Sequence, residues 1–114
     1  MNLIVVGTNA DGLSTKKESL FCLVNELKPS IICIQETKFS FYRSLTIPGY
    51  EIFKNLRVES MGGGLLTAVH ADLNPVLVTK IDDVKLLVVQ IEFKSYKVRV
   101  LNAYGPQEDE DFKN

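Results

Sequence analysis

The sequence predicts an α/β chain in which a mixed β-sheet carries one packed helix, and three observations lead there. Leu3-Ile4-Val5-Val6 and Ile31-Ile32-Cys33-Ile34 are short unbroken apolar runs, the pattern of strands covered on both faces. Between them Leu20, Leu23, Val24 and Leu27 recur at i, i+3, i+4 and i+7, one apolar helical stripe that Phe21 widens. From Tyr50 onward, short alternating segments are separated by Gly, Pro and polar turns. A β-α-β unit with parallel strands, followed by an antiparallel meander, accounts for all three.

The elements follow in order. The first strand stops at Gly7 and gives way to Thr8-Asn9-Ala10-Asp11-Gly12. Thr15 and Glu18 have capping-box spacing, so a helix is expected from Thr15, and Pro29 ends it. The second strand begins near Ser30 and runs into Glu36. Phe39 to Ile47 reads as a loop or one short helix, and Pro48-Gly49 as a turn. Strands are expected over Tyr50–Asn55, Leu65–His70, Val76–Lys80, Leu86–Phe93 and Val98–Tyr104. Lys94-Ser95-Tyr96-Lys97 joins the last two as a hairpin. Leu56 to Met61 reads as exposed, and Gly62-Gly63-Gly64 as a flexible lead into a strand. Residues 1–106 would form one unit, with 107–114 an acidic, frayed tail.

Composition narrows the function classes. A net charge of −1 is not the footprint of a protein that coats nucleic acid, although a bound cation can supply local positive charge for a phosphate. No apolar run reaches the length of a membrane span, and Met1 is followed at once by a strand rather than a signal peptide. Cys22 and Cys33 have neither metal-site nor disulfide-scaffold spacing and read as small buried hydrophobes of a reducing compartment, nucleus or cytoplasm.

Glu36 carries the most information. A buried strand cannot hold a charge in its interior, so this carboxylate falls just past the strand's carboxyl end, where ligands gather in layered α/β proteins. If the first two strands are parallel, Asn9, Asp11 and Glu36 emerge at the same edge, and two carboxylates with an amide suit a hard cation such as Mg²⁺. Asn9 could orient a nucleophile or a phosphate, and Tyr104, before Gly105-Pro106, could offer its phenol to a phosphate oxygen. Each residue also has a plain structural reading. Asn-x-Asp-Gly is a common turn, Glu36 could be a solvated loop residue, and Tyr104 a core aromatic with its hydroxyl at the surface. His70, the only histidine, reads as solvated or hydrogen-bonded rather than catalytic.

The joint pattern is more specific. A strand, then Asn9-Ala10-Asp11-Gly12-Leu13, a helix, and Lys28-Pro29-Ser30-Ile31-Ile32-Cys33-Ile34-Gln35-Glu36-Thr37-Lys38 resembles the opening of the endonuclease/exonuclease/phosphatase superfamily. Pro48-Gly49-Tyr50, the Gly62-Gly63-Gly64 strand and Asn102-Ala103-Tyr104-Gly105-Pro106 follow in that family's order. The likeness covers essentially the whole chain. It is strongest to the apurinic/apyrimidinic endonuclease and exonuclease III branch and to the endonuclease domains of non-LTR retrotransposons. It implies the N-terminal half of a four-layer, DNase I-like α/β sandwich that cleaves phosphodiesters or phosphomonoesters with Mg²⁺ (or Mn²⁺). By resemblance, Glu36 would be the principal metal ligand and Asp11 would lie close to the metal. Asn9 would contact the scissile phosphate or the attacking water, and Tyr104 would approach the phosphate from the other side.

The chain also departs from the family. Gly7-Thr8 stands where many members carry Trp, and neither the Gly-Asp-x-Asn nor the Ser-Asp-His motif of the second half occurs. The catalytic set is therefore incomplete, and the isolated chain should not turn over a DNA phosphodiester at family-like rates. One sheet only is expected. Its apolar face (Leu65, Leu87, Val89, Ile91, Val98 and Val100) would be left open for self-association or for a second half-domain. Two further readings keep the scaffold: a non-catalytic interaction module or truncated remnant, and a phosphodiesterase acting on inositol phosphates or sphingolipids.

Overall fold

A computed structural model describes residues 3–9, 17–35, 37, 44–55, 64–81 and 85–103. Within them β1 (Val5–Asn9), α1 (Lys17–Leu27) and β2 (Ile31–Gln35) form the expected β-α-β unit. β3 (Tyr50–Asn55), β4 (Leu65–His70), β5 (Val76–Ile81), β6 (Leu86–Phe93) and β7 (Tyr96–Ala103) follow. β1 and β2 are parallel, in the register Val5↔Ile31 to Asn9↔Gln35. All later pairings are antiparallel.

The strands form two sheets where the sequence reading expects one. The first has the order β1-β2-β4-β3 and the second β5-β6-β7. A 3₁₀ turn at Ala71–Leu73 separates them, and Asn74 follows it in the left-handed region at φ 48°. Pro75, which cannot donate to a ladder, comes next, so β5 leaves β4 rather than pairing with it.

The first sheet is covered on both faces, which is why β2 and β4 read as unbroken apolar runs. On one face Leu20 of α1, with Phe21 and Val24 beside it, packs against Ile32, Ile34, Leu66 and Ala68. On the other face Ile31, Cys33 and Val69 meet Val89 and Ile91 of the second sheet, with Phe53, Val98 and Val100 at the margin. Alternate residues of one strand thus serve two cores.

This arrangement corrects the expected open face. Leu65, Leu87, Val89 and Ile91 are each 0% exposed, because the second sheet folds over the first and buries them. Val98 and Val100 are partly buried against the same core. The face proposed for self-association is already occupied by this chain. Among described residues, the exposed large apolar side chains include Val76, Leu77, Val78 and Ile81 of β5 and Leu101 of β7.

Two smaller corrections concern α1. Cys22 is exposed, because the buried stripe is centred on Leu20, Phe21 and Val24, and Leu27 is half exposed beyond it. Cys33 is buried as expected. The helix ends before Pro29, with Lys28 in the left-handed region at φ 46° and its N–H donating to the Val24 carbonyl at 2.9 Å. Thr15 and residues 56–61, 62–63 and 107–114 lie outside the described residues. No helix among the described residues is long and apolar enough to cross a membrane.

Candidate functional site

Parallel pairing of β1 with β2 sets the geometry of the candidate site. Asn9 and Gln35, the last residues of these strands, are partners in the ladder. Gln35 also pairs with Leu65, the first residue of β4, and Leu65 with Asn55, the last of β3. The four strand ends Asn9, Gln35, Leu65 and Asn55 therefore form one rim of the first sheet. In the second sheet, Ile81, Leu86 and Ala103 are likewise aligned at one end.

Two asparagines hold these ends together. Asn55, buried, donates its Nδ2 to the carbonyls of Ile81 (3.3 Å) and Leu86 (3.1 Å). Asn102, with no exposed surface, reaches from β7 into the first sheet. Its Nδ2 donates to the Leu66 carbonyl at 2.9 Å and Thr67 Oγ1 at 3.1 Å, with a longer contact of 3.4 Å to the Ile34 carbonyl. Its Oδ1 accepts from Gln35 Nε2 at 2.7 Å. A buried amide is tolerable only with such partners, since an unmet one costs about 1–3 kcal/mol.

Of the four residues singled out from sequence, Asn9 is placed at this rim as the end of β1. Asp11, Glu36 and Tyr104 lie outside the described residues. The sequence neighbours of Glu36 are described on both sides. Gln35 is fixed by β1, β4 and Asn102, and the Thr37 N–H donates to the Gly64 carbonyl at 3.3 Å. Thr37 Oγ1 is buried and has no hydrogen-bond partner among the described residues. Tyr104 follows Ala103, the last residue of β7. The expectation that all these strand ends belong to one sheet is corrected: β7 lies in the second sheet, and Asn102 makes the link between the two.

The described side chains at this rim, Gln35, Thr37 and Asn102, carry two amides and a hydroxyl. The Cys33 thiol is enclosed between the sheets, and burial pushes its pKa up, which keeps it protonated. His70 ends β4 at the opposite rim, where its Nδ1 accepts from the Asp72 N–H at 3.2 Å and its ring meets Tyr50 edge-on, so the hydrogen-bonded reading of this histidine holds. Among the described residues no three His, Cys, Asp or Glu side chains cluster in a way that could hold a metal ion.

No protein-family model matches the sequence, and no curated protein sequence matches it significantly. Solved structures do. D. rerio TDP2 complexed with a single-strand DNA product superposes with a TM-score of 0.71, at 15% identity over 97% of this chain and 49% of that one. The endonuclease domain of TRAS1, a telomere-specific non-LTR retrotransposon, gives 0.65 at 16% identity, over 97% and 49%. ANGEL2, a 2′,3′-cyclic phosphatase, gives 0.65 at 14% identity, over 90% and 40%. The chain has a DNase I-like fold. The three structures belong to the endonuclease/exonuclease/phosphatase superfamily, and the DNase I-like chain described here spans about half of their length. At these identities the likeness concerns architecture alone and assigns no residue its role.

The sequence reading of Asn102-Ala103-Tyr104 gives a role to Tyr104 and none to Asn102. A signal was present. Val98, Val100 and Asn102 alternate along β7, so the amide takes an inward position on a strand whose other inward residues are apolar. A polar side chain there must find buried partners.

Proposed function

We propose that residues 1–106 are the N-terminal half of a divalent-metal-dependent phosphodiesterase domain that nicks DNA, and that the rim carrying Asn9 and Gln35 is its active edge. The observation that carries this reading is the parallel Asn9↔Gln35 pairing, which sets the segments leading to Asp11 and Glu36 beside each other. The DNA product bound to TDP2 and the endonuclease character of the TRAS1 domain support the substrate class. ANGEL2 broadens the chemistry to phosphate esters generally.

In this reading Glu36 and Asp11 would hold the ion, Mg²⁺ or Mn²⁺, with waters completing its shell. When bound, the ion supplies charge stabilisation for a phosphoryl oxygen and a leaving oxyanion. The Asn9 amide, able to donate and accept, orients the phosphate or the attacking water. Tyr104, which follows β7 in the sequence, would offer its phenol to a phosphate oxygen. In-line displacement at phosphorus then leaves a 3′-hydroxyl on the nicked strand. The second half of the fold would supply the remaining catalytic groups, so the chain alone is expected not to nick DNA at the rates of a complete enzyme. Mg²⁺-dependent nicking by the isolated chain, abolished in Glu36→Ala, would contradict that expectation.

Thermal melting with and without Mg²⁺ tests the ligand set. A site saturated at a hundred times its Kd stabilises the native state by about 2.7 kcal/mol. Melting is expected to rise with Mg²⁺ in the native sequence and to be unmoved in Glu36→Gln. The competing reading, a non-catalytic interaction module, draws on the chain's spanning only half of the related structures. It expects no Mg²⁺ effect in either protein.

A further inference from the structure

We infer that the outer edge of β7 seats one further β-strand, supplied by a second half-domain, which runs beneath β1 and presents a carboxylate to Arg99. The inference rests on the reading of this chain as one half of a larger domain and on no feature of the metal site. Among the described residues, β1 ends the first sheet and β7 the second, each with no ladder partner on its outer side. Across the sandwich β5 and β6 lie against β3, and β7 lies against β2 and β4. The second sheet therefore stops one strand short of β1.

The consequence shows on β1. Val5 pairs with Ile31 and Gly7 with Cys33, and Ile31 and Cys33 face the second sheet, so positions 5 and 7 face it too. Val5 is nevertheless 53% exposed where its partner Ile31 is 0%. A Cβ placed on Gly7 would meet no atom within 4 Å. Neighbouring strands lie about 4.8 Å apart, so a strand bonded to β7 would run under β1 and cover Val5.

The two edges of the second sheet differ. β5 shifts register between Leu77 and Thr79, the kind of irregularity that discourages pairing along an edge. The β7 ladder with β6 is unbroken from Leu86↔Ala103 to Phe93↔Tyr96. Counting from the two-residue turn at Lys94 and Ser95, Val98 and Val100 bond to β6, whereas the N–H groups of Lys97, Arg99 and Leu101 point away from it. Charge selects the occupant. Glu92 of β6 stands opposite Lys97, but Gln90 stands opposite Arg99, whose Nε donates to Gln90 Oε1 at 3.5 Å. A carboxylate on the incoming strand supplies the counter-charge that β6 does not. A second copy of this chain, joined edge to edge, would bring its own Lys97 and Arg99 instead. The superposed part is 49% of both the TDP2 and the TRAS1 chain, so a half-domain of comparable size is the occupant that suits this fold.

The test uses the full isotope-labelled chain, with amide hydrogen exchange as the readout. The probe is a peptide of alternating Glu and Val, matched to the eight residues of β7 and added in large excess, and a Lys-Val peptide of the same length is its counterpart. In the chain alone, the amides of Lys97, Arg99 and Leu101 are expected to exchange about tenfold or more faster than those of Val98 and Val100. The Glu-Val peptide should slow these three and shift the Val5 methyl resonances, and the Lys-Val peptide should do neither. Leu101→Pro removes an outward N–H without touching the ladder to β6, so it should keep Tm and abolish the slowing at Lys97 and Arg99. Should that variant not fold, Arg99→Glu at an exposed position should weaken the Glu-Val effect and admit the Lys-Val peptide. No slowing by the Glu-Val peptide, equal slowing by both peptides, or slowing confined to β5 overturns the inference. Sedimentation as a dimer with these amides already protected also overturns it, since a second copy would then hold the edge. None of these outcomes alters the Mg²⁺ melting result, and a failed Mg²⁺ test removes the metal while leaving this edge as it stands.

Discussion

Asn102 shows how one polar side chain can organise a rim built by two sheets. It is completely buried, yet its amide is engaged on both sides, so burial and hydrogen bonding are compatible. Asn102→Ala would leave Gln35 and Thr67 without this partner and is expected to lower stability on the order of 2–3 kcal/mol in urea denaturation. The thiols give a second test at this scale. Cys22 is exposed and Cys33 buried, so an alkylating reagent should label one thiol quickly in the native chain and the second only after unfolding. Burial raises the Cys33 pKa above its ordinary 9.0, partly offset by a hydrogen bond with Thr67. The stability tied to the neutral thiol is therefore intact below about pH 9 and lost as pH climbs through the folded value, because only the unfolded thiol ionises in that window. Stability measured across this range should fall less in Cys33→Ala. Glu36 was legible as a candidate because a charge after an apolar strand stands out. The importance of Asn102 was not, because its partners are 35 to 68 residues away in sequence.

At the scale of elements, strand positions were legible and their ends less so. β2, β3, β4 and β6 follow the apolar patterns closely. β7 begins at Tyr96 rather than Val98, because the hairpin turns on Lys94 and Ser95 alone. Both residues have positive φ, 49° and 70°, as a two-residue turn matched to strand twist requires. Neither is a residue that usually adopts that conformation, so the turn carried no warning in sequence. Replacing Lys94-Ser95 by Asn-Gly should relieve left-handed strain and stabilise the chain by about 1 kcal/mol, visible as a higher Tm. The α1 stripe was also read slightly off its axis. Apolar spacing allowed Leu23 and Leu27 as well as Leu20 and Val24, and only the sheet beneath decides which of them is covered.

For the whole molecule, the sequence reading places the strands but assigns them to one sheet instead of two. Alternation records that a strand has a buried face and does not record what buries it. The short turn at Ala71–Leu73 and Pro75 is where one sheet gives way to the next. Leu65, Leu87, Val89 and Ile91 then become the centre of a sandwich rather than an open face. Ile91→Ala removes contacts between the sheets and should cost about 2–5 kcal/mol, with unfolding still a single transition if the two sheets form one cooperative unit.

We propose that the rim at the ends of β1 and β2 holds a divalent cation through Glu36. Paramagnetic broadening of backbone amide resonances by substoichiometric Mn²⁺ reads this position directly. Signals of Thr8, Asn9, Gln35 and Ala103 should broaden first, those of His70, Lys94 and Ser95 at the opposite rim should remain sharp, and Glu36→Gln should abolish the effect. Broadening centred on the opposite rim, or an unchanged pattern in Glu36→Gln, would contradict the account.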